Sequence, residues 1–180
     1  MTYRKLEEDH AFILSSSNEL GNYLSSETLL WQMGNNLPPL TPGNLLLAWQ
    51  RLSTQQWVEQ ELIKETLTNL IEKRRTAWEK KIQLELPMRL NQWKQTIEDY
   101  AREQGIDASY SSNVEIRTKL TLLLSALRFP AESIQTSLRS FDQELDQWME
   151  PGSFVWEADL EKAFPLEVHP YLYLKRKARK

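Results

Sequence analysis

The sequence predicts an all-α fold, because its composition and its hydrophobic spacing both favour helices. Leucine, glutamate, glutamine, lysine and arginine dominate the 180 residues, and all five are good helix formers. Only five glycines occur, which is few for a protein built from tight hairpins. Apolar residues recur at intervals of three and four along most of the chain, which is the period of an amphipathic helix. We therefore expect a helical bundle around one core.

The first third of the chain predicts short helices separated by an extended connector. Residues 4–33 have the apolar spacing of one or two helices, which the run Gly34-Asn35-Asn36 ends. Two prolines make the segment 37–40 extended. Thr41 followed by Pro42 then provides the N-cap and first-turn proline of a new helix, which we place over 42–52.

The middle of the chain predicts one long helix over about 54–104. At about 1.5 Å per residue this helix would be roughly 75 Å long. Between Leu70 and Leu90 each apolar step is four residues, so the stripe rotates by about 40° at every step. Pro87 lies in this window and removes one backbone hydrogen bond. We therefore predict a kink near residues 83–87.

The last third predicts two more helices and a non-helical end. The helices are expected over about 112–127 and 130–149. Prolines at 165 and 170 then favour an extended strap across the bundle, although one small hairpin is an alternative. We predict a single helical domain over 1–174 and a basic, disordered tail over 175–180.

The composition also restricts the class of protein. The chain has no cysteine, which excludes disulfides, thiolate metal sites and cysteine nucleophiles. The first residues mix both charges and lack the apolar region of a secretory signal. No apolar run approaches the roughly 20 residues that span a bilayer. We expect a cytoplasmic protein without a membrane span.

The sequence contains no signature of catalysis or of cofactor binding. Glu7 and His10 have the Glu-x-x-His spacing of di-iron bundles, but such a site needs a second pair, and Leu166 stands three residues before His169. The chain has neither a Gly-x-Ser-x-Gly elbow nor a glycine-rich phosphate loop. We therefore predict a protein that is not an enzyme and that has no metal or cofactor.

The predicted long helix points instead to protein–protein interaction. A helix of this length exceeds what the rest of the chain can cover, so part of it needs another copy of the chain or an unidentified protein. Most of the seven tryptophans are expected to fill the core. Trp78 and Trp93 lie on opposite sides of the predicted kink and, with Arg74, form the predicted partner contact. The leading hypothesis is an interaction or scaffold protein.

The C-terminal charges support an alternative function. Five of the last six residues are basic, namely Lys175, Arg176, Lys177, Arg179 and Lys180. Without them, 17 of the 22 basic residues remain against 25 acidic ones, a net charge of −8. This tail fits a disordered solubilising end, a nucleic-acid contact, or adhesion to an anionic lipid or an acidic partner. The alternative hypothesis is therefore a nucleic-acid-associated protein that binds through the tail, although an acidic body is unusual for that class.

Overall fold

The chain folds mostly into helices, which confirms the predicted fold class. A computed structural model describes residues 2–34, 36–102, 109–129 and 131–177, with the backbone alone for residues 2–4. The α-helices are α1 (Thr2–Ser25), α2 (Pro42–Leu52), α3 (Gln60–Lys73), α4 (Arg75–Arg102), α5 (Tyr110–Ser125) and α6 (Glu132–Leu145). Two 3-10 helices (Ala158–Ala163 and Pro170–Tyr173) and two strands, β1 (Met149–Pro151) and β2 (Leu174–Arg176), complete the described elements.

The chain divides into two compact units, and the single helical domain over 1–174 stays a prediction, because one domain can contain more than one compact unit. Unit 1 ends at Glu85 and unit 2 begins at Leu86, so the boundary lies inside α4. No linker marks this boundary in the sequence, because a continuous helix crosses it. Each unit has its own buried apolar residues.

The long helix predicted over 54–104 is two helices. Arg74 separates α3 from α4, with φ of −117° and ψ of 34°, whereas helical residues lie near about −63° and −42°. The chain before Gln60 is not helical either, because Glu59 adopts a left-handed conformation with φ of 67°. The interruption therefore precedes the window 83–87 where a kink was predicted, and α4 continues through Pro87.

Unit 1 is built around α1, on which both α2 and α3 pack. Its largest fully buried side chains include Trp78, Tyr23 and Phe12. The connector before α2 is held by a two-way backbone bridge between Trp31 and Leu40, with N–H to oxygen distances of 3.2 and 2.8 Å. This bridge places the N-terminal end of α2.

Unit 2 ends in a small antiparallel sheet rather than in a simple strap. Strand β1 pairs with β2, so that Glu150 lies opposite Lys175. The pairing continues past β1, because the Gly152 amide donates to the Tyr173 carbonyl at 2.8 Å. Lys175 and Arg176 thus belong to a strand and not to a disordered tail. The strand is ordered because the buried Tyr171 and Leu172 anchor the residues just before it.

Candidate functional site

The two tryptophans that we expected outside the core lie inside it. The exposed fraction is 1% for Trp78 and 0% for Trp93. The expectation was wrong because both indoles of α4 are enclosed by the chain itself, Trp78 in unit 1 and Trp93 in unit 2. The partner contact predicted from Arg74, Trp78 and Trp93 is therefore corrected, since neither indole is accessible to a partner.

Arg74 and nearby cations stabilise the C-terminal end of α1. Arg74 Nη1 donates to the Gly21 carbonyl at 3.2 Å, and Lys81 Nζ donates to the carbonyls of Ser26, at 2.8 Å, and Thr28. Cations at this end oppose the negative pole of the helix dipole. Burial lowers the pKa of Lys81. This cluster acts as a helix cap.

A buried carboxylate lies at the N-terminus of α2. Glu85 of α4 is fully buried. Its Oε1 accepts from the Thr41 hydroxyl at 2.8 Å, and its Oε2 accepts from the Gly43 amide at 2.7 Å. A Cβ at position 43 would lie 2.7 Å from Oε1, so only glycine allows this approach. The arrangement anchors α2 to α4 within unit 1.

Unit 2 contains a network of hydrogen-bonded polar side chains. Arg117 of α5 binds Asp142 of α6 through two hydrogen bonds of 2.9 and 2.7 Å, and its Nη1 donates to Thr121 Oγ1 at 2.7 Å. The Tyr171 hydroxyl lies 2.9 Å from the same Thr121 oxygen and 2.6 Å from Nδ1 of His169. The guanidinium also lies 4.4 Å from the centre of the Tyr171 ring. These side chains thus link α5, α6 and the 3-10 helix Pro170–Tyr173 through hydrogen bonds.

The charge state of His169 follows from its surroundings. Its exposed fraction is 2%. Burial, with a smaller contribution from the positive charge of Arg117, lowers its pKa from 6.5 to about 4. Burial also raises the pKa of Tyr171 to about 12. Both rings are therefore neutral at pH 7, and the network contains a neutral imidazole next to a neutral phenol.

The lowered pKa of His169 predicts a loss of stability in acid. Between about pH 6.5 and pH 4 the unfolded chain binds a proton at this ring that the folded chain does not. The contribution is complete above pH 6.5 and is lost as the pH falls towards 4. Between pH 7 and about pH 4.5, we expect the wild type to lose about 2 to 3 kcal/mol more of its free energy of unfolding than His169→Asn loses. Urea unfolding at both pH values measures this difference. An equal decrease in the free energy of unfolding of both proteins would contradict it.

The first turns of α3 and the turn just before it carry unusually exposed side chains in unit 1, which we call the outer face of α3 (Val58, Glu61, Leu62 and Glu65). The exposed fraction is 83% for Val58 and 61% for Leu62. In α3, Glu61 and Leu62 lie four and three residues before Glu65, which places these three side chains on one side of the helix, whereas Val58 lies in the turn just before the helix. Leu67, on the opposite side, is the one buried residue of the fourteen in α3. Neither glutamate has an ion-pair partner among the residues that the structure describes.

The start of the outer face is held in place by aromatic packing. The Trp57 ring makes edge contacts with His10 at 4.7 Å and with Trp49 at 6.2 Å between ring centres. On the other side of Val58, Glu59 has a positive φ of 67°, which costs a non-glycine residue free energy. Val58 is therefore exposed on a constrained turn rather than on a free loop.

The sequence contains a signal for this face that the predicted partner contact does not include. Ile63, Leu67 and Leu70 form the regular apolar stripe of the helix. Leu62 lies off that stripe, and an apolar residue on the polar side of a helix, with another apolar residue, Val58, four residues before it, is a sign of a second contact surface. The prediction instead placed the partner contact at Arg74, Trp78 and Trp93.

The basic C-terminal residues are partly engaged within unit 2. Lys175 Nζ lies 3.3 Å from the Glu150 carboxylate across the strand pair. Lys177 Nζ donates to the Asp146 carbonyl at 2.6 Å, and Arg176 is exposed. The other two residues of the predicted tail, Arg179 and Lys180, lie outside the described residues.

Searches of family models, curated proteins and solved structures found no match to this chain. Within the described residues, no helix combines the length and apolar character that crossing a bilayer requires. The same part of the chain contains no group of three or more histidine, aspartate or glutamate side chains placed to hold a metal ion.

Proposed function

We propose that this chain is a non-enzymatic protein-interaction module that binds a basic protein surface through the outer face of α3. The observation that carries the proposal is an exposed leucine with two carboxylates that have no ion-pair partner on one side of α3, preceded by a constrained turn that exposes Val58. Single exposed apolar residues are normal in proteins. Here, however, Val58 and Leu62 are both exposed and lie four residues apart in the chain, and Glu61 and Glu65 beside Leu62 have no ion-pair partner among the described residues.

The charge of this face favours a different protein over a second copy. If two copies packed Val58 and Leu62 against each other, Glu59, Glu61 and Glu65 of both copies would come together. Like charges at an interface disfavour such pairing. A partner that presents aliphatic side chains among lysines or arginines satisfies both the apolar and the acidic part of the face. The contact is small, so we expect a transient complex.

A pair of model peptides tests the proposal directly. One is a short synthetic helical peptide with two leucines four residues apart and lysines beside them, and the other has glutamates in place of the lysines. At about 0.1 M salt, where charges act over about 10 Å, the basic peptide should bind and the acidic one should not. The double variant Val58→Ser, Leu62→Ser should weaken binding about tenfold or more, because it removes the apolar contact. Amide chemical shifts locate the site and give the affinity.

The matched control uses another pair of exposed apolar residues. Leu166 and Val168 are 51% and 53% exposed in unit 2, and replacing both with serine should leave binding of the basic peptide unchanged. A charge-reversal variant, Glu61→Lys with Glu65→Lys, should transfer the preference to the acidic peptide. Equal binding of both peptides by the wild type, or shifts that map away from α3, would refute the proposal.

The alternative, a nucleic-acid-associated protein, has less support. The ion pair of Lys175 with Glu150 and the hydrogen bond of Lys177 to a backbone carbonyl occupy two of the cations that would have to bind phosphates. A titration of labelled RNA and DNA at about 50 mM salt, where phosphate contacts are strong, tests this alternative.

A further inference from the structure

Unit 2 has a cavity of about 280 Å³ between α5 and α6, which we call the α5–α6 cavity. Its apolar walls are formed by Leu124 and Leu138, and its polar lining comes from Arg117, Thr121, Gln135, Arg139 and Asp142. The volume lies near the lower end of the range for small-molecule sites. A ligand of this size has room for one charged group and a short apolar part.

The polar lining carries an excess of positive charge. Arg117 and Asp142 neutralise each other through two hydrogen bonds. Arg139 is exposed and has no carboxylate partner within the described part of the chain, and its Nη2 donates a long hydrogen bond to Thr136 Oγ1 at 3.3 Å. The cavity therefore has one guanidinium free to bind an anion, and a planar guanidinium matches a carboxylate through two parallel hydrogen bonds.

A second donor depends on the direction of the Thr121 hydroxyl. Thr121 Oγ1 accepts from Arg117 Nη1, and it lies 2.9 Å from the Tyr171 hydroxyl. If Tyr171 donates to Thr121, the oxygen accepts two hydrogen bonds and its own proton is available to the cavity. Tyr171 then has no proton for His169, so Nδ1 of His169 must donate to the phenol oxygen.

The opposite arrangement satisfies the same distances. Thr121 then donates to Tyr171, Tyr171 donates to Nδ1 of His169, and the imidazole proton is on Nε2. In this state the Thr121 proton is directed away from the cavity. An acceptor in the cavity selects between these two states, because it stabilises only the first.

We propose that the α5–α6 cavity binds a small aliphatic carboxylate through Arg139 and Thr121, and that binding moves the proton of His169 to Nδ1. Leu124 and Leu138 contact the aliphatic part. Binding in the cavity therefore changes the tautomer of His169, although this side chain is only 2% exposed. This site lies in unit 2 and is independent of the interaction proposed for α3.

Titration with butyrate at low salt tests binding, with amide shifts of α5 and α6 as the readout. We expect saturable shifts with butyrate, none with butanol, and weaker ones with inorganic phosphate, which has no aliphatic part. Arg139→Gln should weaken butyrate binding about tenfold or more, whereas the matched surface variant Arg176→Gln should not change it. Equal responses to butyrate and butanol, or to butyrate and phosphate, would overturn the assignment to a carboxylate.

The nitrogen shifts of the His169 ring test the coupling. They distinguish a proton on Nδ1 from one on Nε2, and the Nδ1 form should increase as butyrate saturates the cavity. Thr121→Ser retains the hydroxyl and should retain this response, whereas Thr121→Val removes it and should abolish the response even where butyrate still binds. Saturation by butyrate with an unchanged His169 ring in the wild type would refute the coupling.

Discussion

Replacing Gly43 with alanine is expected to destabilise unit 1 by about 2 to 4 kcal/mol. The new Cβ would lie 2.7 Å from Oε1 and 3.1 Å from Cδ of Glu85, closer than carbon and oxygen atoms tolerate. The Glu85 side chain is fully buried and cannot move into solvent. It must give up its hydrogen bonds to Thr41 and to the Gly43 amide, and a buried carboxylate that loses its donors costs about this much.

Two comparisons isolate the cause of this effect in urea unfolding. Gly21 lies inside α1, and Gly21→Ala places a methyl group at an ordinary contact distance of 3.9 Å from Leu70. Because alanine favours a helix over glycine, this variant should stabilise the protein by about 0.5 to 1 kcal/mol. In a Glu85→Ala background, Gly43→Ala should cost little, because the atoms that it meets are gone. A Gly43→Ala effect of the same size in both backgrounds would show that the contact with Glu85 is not the cause.

Replacing Trp93 with alanine is expected to destabilise the protein by about 3 to 5 kcal/mol, and Trp78→Ala should have a similar effect. Both indoles are among the largest fully buried side chains, so each substitution leaves a cavity as well as losing apolar burial. If these residues were partner contacts, the same substitutions would change the mass of the protein in solution and leave the unfolding of the monomer nearly unchanged.

A conservative variant at Trp93 tests this prediction further. Trp93 Nε1 is buried without a hydrogen-bond partner among the described residues. Trp93→Phe removes that unsatisfied donor and keeps an aromatic ring, so it should cost much less than alanine. Leu84→Ala, at a side chain that is 46% exposed, should also have a small effect. Thermal unfolding and light scattering on the same samples separate loss of stability from loss of association.

Local signals in the sequence were sufficient for the fold class and for one helix in full. The helix placed over 42–52 has those bounds, and the Thr41 side chain accepts from the Asn44 amide at 3.1 Å, as an N-cap does. This prediction worked because the cap, the first-turn proline and the apolar face all lie within a few residues of one another.

Long-range contacts explain what the sequence did not reveal. The helix interruption at Arg74 coincides with a guanidinium that caps a helix 53 residues earlier in the chain. The pairing of Gly43 with Glu85 spans 42 residues. The hydrogen-bond network from Arg117 to His169 joins side chains from three elements. Periodicity describes each helix separately, so it does not show which residues of different helices meet. For the outer face of α3, only the spacing of Leu62 and Val58 was available in the sequence.

The position of the unit boundary inside α4 has a consequence for any attempt to isolate unit 1. A fragment that stops at Glu85 would leave the last carbonyls of the shortened helix without their backbone donors, and such ends fray. The fraying turn would contain the carboxylate that holds Thr41 and Gly43. The first helix to detach would therefore be α2, far along the chain from the cut, and a fragment that extends several turns beyond Leu86 should retain it.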